Sequence, residues 1–407
     1  MPGLVAERID PTFLAHALSG VRDAIILVTG TNGKTTTTKM LAAILRAHGK
    51  RVFTNPTGSN FTRGVISAML GDLPLHGRLD ADVAVLELDE WHALQFARVV
   101  RPSHALLLNV ARDQLDRFAE IDMTARLLAT LATQTTTGVV LNRDDSFVAR
   151  VRGQLNQDVA VAYFGIDPES AAELPPLHEA DVRFAENLFL PDLTKDDGLL
   201  LPESSRRFRI SLGGEEIGPL ELRQRGLAAM INATAAVTTA RFVLRDRFSP
   251  VATAEALRTV RPPFGRGEVI NAGGQPLELV LVKNPAGFTV ALGTYHAEPA
   301  TTMIAINDDY ADGQDVSWLY DVSFESLRDH GVAIASGVRA YDMALRLEYD
   351  DVPVKEVVPD LERALDALIQ AYPNEPRRIF CTYTAMMRLR RLLAARYGLA
   401  NFGEETA

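Results

Sequence analysis

Residues 25–41 read IILVTGTNGKTTTTKML, and this stretch restricts the fold more than any other. Ile25–Thr29 is an apolar, largely β-branched run suited to a buried strand, whereas Thr36–His48 carries helical apolar spacing through Met40, Leu41, Ile44 and Leu45. A glycine-rich strand-to-helix turn aims free backbone N–H groups and the positive end of a helix dipole at one point. Gly30 and Gly33 let the backbone approach an anion, Lys34 adds a charge for terminal phosphates, and the Thr35 hydroxyl suits Mg2+. The pattern predicts nucleoside triphosphate binding through Gly30, Thr31, Asn32, Gly33, Lys34, Thr35 and Thr36. The plain alternative is a tight turn with a solvated lysine.

The chain around this loop is long enough, at 407 residues, for two or three domains. Its formal charge of −10 argues against a general nucleic-acid binder, although an anionic substrate needs only a local basic pocket. No apolar stretch approaches the length of a membrane-spanning helix, and the first twenty residues lack a basic region followed by an apolar one. A cytoplasmic location is therefore expected. Cys381 is the only cysteine, which excludes an internal disulfide or a thiolate zinc cluster, and in RRIFCTYT it reads as a structural thiol on a core strand.

From Ala24 to about Gly165 the pattern alternates. AIILVTG, RVFTNP, DVAVLELDE, SHALLLNV and GVVLNRDD read as strands with helices between most of them, which is the signature of a doubly wound, mainly parallel sheet. Residues 166–205 are rich in proline and acid and read as an irregular, partly β excursion, followed by a hairpin over 206–223. Helices are expected at Leu227–Leu244 and Val251–Val260, then a hinge in RPPFGRGEVI. Beyond it the alternation restarts through LELVLVKN, TTMIAIND, a helix around Phe324–Asp329, GVAIASG, RRIFCTYT and a last basic helix, Ala385–Tyr397. The expectation is an ATP-binding α/β domain over 1–262 and a second, Rossmann-like α/β domain over 263–407.

The motifs GTNGKTTT, LELDE, NVARDQLDRF, LNRDDS, NATAA and FGRGE resemble, in this order, those of the Mur ligases and folylpolyglutamate synthetases. The short G-T-N-G-K-[ST] loop is the form those families use. TNPTGSN, LVKNPAGF and NDDYADGQDVSWLYDVSFE narrow the resemblance to the MurT family, the synthetase subunits of lipid II isoglutaminyl synthases. It spans nearly the whole chain and is weakest over 166–225. The loop strand begins about 24 residues into the chain, which leaves no room for the uridine-nucleotide domain of ordinary Mur ligases.

The resemblance implies a reaction. ATP converts the D-glutamate α-carboxylate of the lipid II stem peptide to an acyl phosphate, and ammonia from a GatD-like glutamine amidotransferase partner displaces the phosphate to give D-isoglutamine. Two other readings stay open: a stand-alone Mur or folylpolyglutamate-type amino-acid ligase, and an ATP-binding scaffold without catalysis. The missing N-terminal domain and residues 307–325 weigh against the first. Intact Lys34, Thr35, Glu87 and Arg266 weigh against the second.

Individual residues acquire roles from position and from the resemblance together. Glu87 ends a strand at the ligand edge, where its carboxylate can hold Mg2+ opposite Thr35. Asp89 and Glu90 read as solvated or helix-opening acids. Asn109 also ends a strand, and Asp116 and Arg117 each fall one helical turn from Asp113. The family motif implies that these four position substrate or metal, and a surface ion pair between Asp113 and Arg117 is the alternative.

The resemblance assigns the adenine edge to Asn232, although Ala229 stands where the family commonly has a second asparagine. It assigns the ATP phosphates, on domain closure, to Arg266, and a nucleotide contact to Lys283–Gly287 including Asn284; for N-P-A-G a plain turn is the alternative. Asp308, Asp309, Asp312 and Asp315 form an acidic run whose spacing fits no EF-hand and which reads by itself as a solvated loop. In the resembled complex the aspartate at position 315 completes the partner's Cys–His dyad, orienting its histidine. Many MurT proteins carry a four-cysteine zinc ribbon in the region of 166–205, which here has no cysteine, so no structural zinc is expected.

Overall fold

Strand formation follows the apolar runs closely, because a strand buried on both faces needs apolar side chains at every position. The computed structural model describes residues 2–55, 61–74, 77–111, 121–172, 191–295 and 300–399, which fall into two compact units. The first comprises described residues of 2–111, 121–223 and 227–261, the second those of 224–226 and 262–399.

In the first unit the strands are β1 Ala24–Thr29, β2 Val52–Thr54, β3 Val83–Glu87, β4 His104–Leu107, β5 Gly138–Asn142, β6 Ala160–Ile166, β7 Gly198–Pro202, β8 Arg207–Leu212 and β9 Glu215–Glu221. Its helices are α1 Pro2–Ile9, α2 Phe13–Leu18, α3 Lys34–Ala47, α4 Thr62–Asp72, α5 Glu90–Val99, α6 Ile121–Thr133, the single turns α7 Ser146–Ala149 and α8 Pro168–Ala171, then α9 Leu227–Leu244 and α10 Pro250–Thr259. The sheet runs β2-β3-β1-β4-β5-β6-β7-β8-β9, parallel through β7 and antiparallel over β8 and β9. Ile26 and Val28 face one core with Met40 of α3 and Ala233 of α9, while Leu27 faces another with Phe96 of α5 and Leu128 of α6.

The expected doubly wound α/β fold is therefore present, with corrections in detail. Helix α3 begins at Lys34, two residues earlier than the apolar spacing alone marks. Strand β6 was hidden by its alanines, and its pairing with β5 and β7 defines it. Helix α9 with the turn after it, Leu227–Arg247, is long and apolar enough to span a membrane, contrary to the expectation that no stretch approaches that length. It is 67% buried over the relevant window and packs against the sheet, as a core helix does.

The second unit has β10 Arg266–Ala272, β11 Gln275–Leu281, β12 Thr301–Ala305, β13 Val332–Ser336, β14 Val354–Val358 and β15 Arg377–Cys381, with α11 Pro285–Tyr295, α12 Ala340–Tyr349, α13 Leu361–Ala371 and α14 Tyr383–Tyr397. The order β10-β11-β15-β12-β13-β14 is parallel except for β10. The segment read as a hinge thus contains the start of a strand. The helix expected around Phe324–Asp329 is only a 3-10 turn, Glu325–Leu327. Cys381 is fully buried, and burial pushes its thiol well above the ordinary range.

One buried titratable group ties the first unit's stability to pH. His104 at the start of β4 lies edge-on to Phe242 of α9, with ring centroids 6.0 Å apart, and its Nδ1 is 3.0 Å from Ser103 Oγ. Burial, assisted by the positive charge of Arg245, lowers its pKa from 6.5 to about 4. The unfolded chain takes up a proton as pH falls through 6.5, but the folded imidazole does so only near 4. This contribution to stability is complete above pH 6.5, declines between 6.5 and 4, and levels off below. The full window is worth roughly 3 kcal/mol. His104→Gln should flatten the decline of urea-unfolding stability between pH 6.5 and 4 by up to one proton equivalent, and an unchanged slope would show that His104 titrates normally.

Candidate active site

Parallel α/β sheets collect ligands beyond the carboxyl ends of their strands. At that edge of the first unit, β1 runs into the loop 30–33 and then into α3. Gly30 and Gly33 have φ of 132° and 89°, in the region that favours glycine. A Cβ on Gly30 would lie 2.9 Å from Asn109 N, and one on Gly33 would lie 2.3 Å from Asn232 Oδ1. Both glycines are needed for close approach as well as for backbone conformation.

Lys34 is 8% exposed and folds back over the loop, its Nζ donating to Gly30 O at 2.5 Å and Thr31 O at 3.3 Å. Thr35 Oγ1 donates to Glu87 Oε1 at 2.6 Å, with both residues buried. Adjacent parallel strands produce this meeting: Val28 pairs with Glu87 in register, so the carboxylate emerges beside the first turn of α3. A hydroxyl and a carboxylate oxygen so placed are hard oxygen donors of the kind that would suit Mg2+.

Asn55, to which the sequence assigns no role, clamps the backbone of Glu87 and so fixes where its side chain starts. Its Nδ2 donates to Glu87 O and its Oδ1 accepts from Glu87 N, both at 2.9 Å. Asn109 does the same for the loop: Oδ1 accepts from Asn32 N at 2.8 Å and Nδ2 donates to Asn32 O at 3.0 Å. Thr31 N donates to Asn109 O at 3.0 Å as well. Asn109 was expected to position substrate or metal; its carboxamide is engaged by the loop backbone instead.

Asp145 in turn accepts from Val110 N at 2.7 Å while capping α7, and Asn142 Nδ2 donates to Leu108 O at 2.8 Å. LNRDDS is thus a brace for the segment carrying Asn109. Asp113, Asp116 and Arg117 lie outside the described residues. Asp89 caps α5 by accepting from His92 N at 2.9 Å and Glu90 lies buried in its first turn, so both are helix-opening acids. Thr36 is buried in the first turn of α3, and Asn232 is half-buried on α9 against Gly33.

In the second unit, Arg266 opens β10 and is half-buried. Its neighbour Glu268 accepts from Arg390 Nε at 2.9 and 3.0 Å, and the Arg390 guanidinium lies 4.7 Å from the Phe264 ring centroid. Asn284 departs from its expected nucleotide contact. It is fully buried and its Oδ1 accepts from Gly287 N at 2.8 Å, so N-P-A-G is the turn that starts α11.

The four loop aspartates have separate surroundings. Asp308 pairs with Arg339 at 2.7 Å, Asp312 is buried against Thr384, and Asp309 is exposed. Asp315 is exposed and accepts from Ser317 N at 2.8 Å; bonding to Ser317 holds its carboxyl below the usual range. Among the described residues no group of three or more His, Cys, Asp or Glu side chains is arranged to hold a metal.

Residues 28–240 match the Mur ligase middle domain and residues 281–386 the MurT ligase C-terminal domain. The chain is similar to the MurT subunit of glutamine-hydrolysing lipid II isoglutaminyl synthase from Streptococcus pneumoniae R6, with 30% identity over 97% of this chain and 92% of that protein. Its fold is similar to that of a pseudomurein peptide ligase type C from Methanothermus fervidus, with a TM-score of 0.69 and 19% identity over 92% of this chain and 79% of the other. It is also similar to Mycobacterium tuberculosis folylpolyglutamate synthase, with a TM-score of 0.65 and 17% identity over 99% of both chains. The chain belongs to the Mur ligase family and, within it, to the MurT subunits of lipid II isoglutaminyl synthase, ligases of peptidoglycan synthesis.

Proposed function

We propose that this chain is the ATP-dependent synthetase half of a two-subunit amidotransferase that converts the D-glutamate α-carboxylate of the lipid II stem peptide to D-isoglutamine. The observation that carries the reading is the Thr35 Oγ1–Glu87 Oε1 pair, 2.6 Å apart beside Lys34 at the start of α3. A triphosphate lying along the N-terminal turn of α3 meets free N–H groups, the helix dipole and one lysine charge. The similar M. tuberculosis enzyme is described as complexed with ADP and AMPPCP, which supports ATP here. Thr35 and Glu87 would hold Mg2+, which neutralises phosphate charge when bound.

The carboxylate oxygen of the acceptor attacks the terminal phosphorus and ADP leaves, forming an acyl phosphate. Ammonia then attacks the acyl carbon, the nitrogen loses a proton and inorganic phosphate departs. Lys34 stabilises the charge that spreads over the transferred phosphoryl oxygens. Cys381 is buried with its thiol strongly favoured over the thiolate, so it does not suit glutamine hydrolysis. The ammonia is therefore assigned to a GatD-like partner, and Asp315 to the orientation of that partner's catalytic histidine. The reading places the enzyme in the cytoplasm, working on a lipid-linked substrate at the membrane face.

Lys34→Ala should lower amidation by about 10²- to 10³-fold in a variant that still folds. Normal turnover in the folded variant would remove the loop from the mechanism. Glu87→Gln should end amidation from either glutamine or free ammonium, because it acts on phosphoryl transfer. Asp315→Asn should separate the two nitrogen sources. Glutamine-supported amidation should drop by as much as ~10⁴-fold while ammonium-supported amidation and subunit assembly persist. Equal loss from both sources would return Asp315 to the ligase site or to a structural role.

A further inference from the structure

Thr382 is the N-cap of α14, yet its side chain makes no capping bond to that helix. Its hydroxyl accepts instead from Asn307 N at 2.9 Å. The cap comes from elsewhere in the chain: Asp312 Oδ1 accepts from Thr384 N at 2.8 Å, and Asp312 Oδ2 accepts from the Thr384 hydroxyl. Asp312 is 4% exposed, so an acidic loop places one of its carboxylates inside the protein at a helix N-terminus.

The same point is tied from the other side. Asn307 Nδ2 donates to Thr384 Oγ1 at 3.0 Å, and Asn307 Oδ1 accepts from Val338 N at 3.0 Å. At the far end of the loop Trp318 is buried against Phe288, with ring centroids 6.3 Å apart. Between these anchors Asp315 alone combines an exposed carboxylate with a fixed backbone donor, Ser317 N. Burial raises the Asp312 carboxyl pKa, and the bonds to Thr384 offset part of that rise.

We propose that Asp312 and Thr384 form a latch that presets the loop 308–317, so that Asp315 meets the glutamine-hydrolysing partner as an already oriented carboxylate. The proposal rests on the role given to Asp315 above. Presetting matters because a carboxylate that must orient a histidine in another chain loses its effect if displaced by about 1 Å, at a cost of about 10²-fold in rate. Asp312 and Thr384 are positioning residues; neither reaches the reacting atoms.

The test uses the assembled complex and the full chain. Thr384→Val keeps the shape and the N–H but removes the hydroxyl, Thr384→Ser restores the hydroxyl, and Asp312→Ala removes the carboxylate. Thr384→Val and Asp312→Ala should lower glutamine-supported kcat by about 10- to 100-fold with the KM for glutamine unchanged. Ammonium-supported turnover and the subunit Kd should be retained, and Thr384→Ser should be near wild type. Hydrogen exchange over 308–317 in the chain alone should quicken in Thr384→Val and not in Thr384→Ser. Unchanged exchange and unchanged glutamine use would overturn the latch, as would equal loss from both nitrogen sources or loss of assembly. Quickened exchange with a fully active Asp315→Asn would leave the latch standing and reject the assignment of Asp315.

Discussion

The phosphate loop depends on the double hydrogen bond between the Asn109 carboxamide and the backbone of Asn32. A loop with two positive-φ glycines has little conformational preference of its own and collapses onto any available partner unless something fixes it. Asn109 fixes it by acting as one more rung between β1 and β4, beyond the point where the strands separate. Leu108 N donates to Thr29 O at 3.0 Å just before it, so the rung is continuous with the sheet. Asp145 and Asn142 hold the segment that carries Asn109, and the rigidity of three strand ends thereby reaches the loop. Asn55 does the equivalent for Glu87.

The second unit applies the same economy of polar groups at its own strand ends. Asn307 after β12, Thr382 after β15 and the amide of Val338 after β13 converge on one network. Buried polar groups of this kind are stable only when each finds a partner. Here one loop carboxylate supplies the helix N-terminus, and the loop gains an anchor in return.

The alternation of apolar runs with helical spacing was enough to foresee nine of the parallel strands, the hairpin and the bounds of α9, since these depend on periodicity within a few residues. What remained hidden has physical causes. Strand β6 carries alanines, β10 starts inside a glycine-rich turn, and β14, VKEVV, is an edge strand with two charges. The opposition of Thr35 and Glu87 was legible because the loop and helix that carry Thr35 follow β1, and Glu87 ends the neighbouring parallel strand β3. The engagement of Asn109 by a residue 77 positions away, or of Asn55 by one 32 away, leaves no local signature. A lone asparagine reads the same whether it faces water, a ligand or a distant backbone. Asn284 shows the converse, since a motif shared with a family acquired a ligand role that its burial assigns to helix capping.

The margins of the nine-stranded sheet bear on how the chain behaves at high concentration. An open sheet edge is a template for pairing with another molecule. One margin, β2, is three residues long and offers too little backbone for a stable pairing. The other, β9, reads EEIGPLE, with Pro219 removing an amide donor and Glu215, Glu216 and Glu221 exposed along it. A second copy approaching this edge would meet exposed carboxylates and an interrupted ladder, both of which disfavour edge-to-edge pairing even though the interior strands are among the most apolar in the chain.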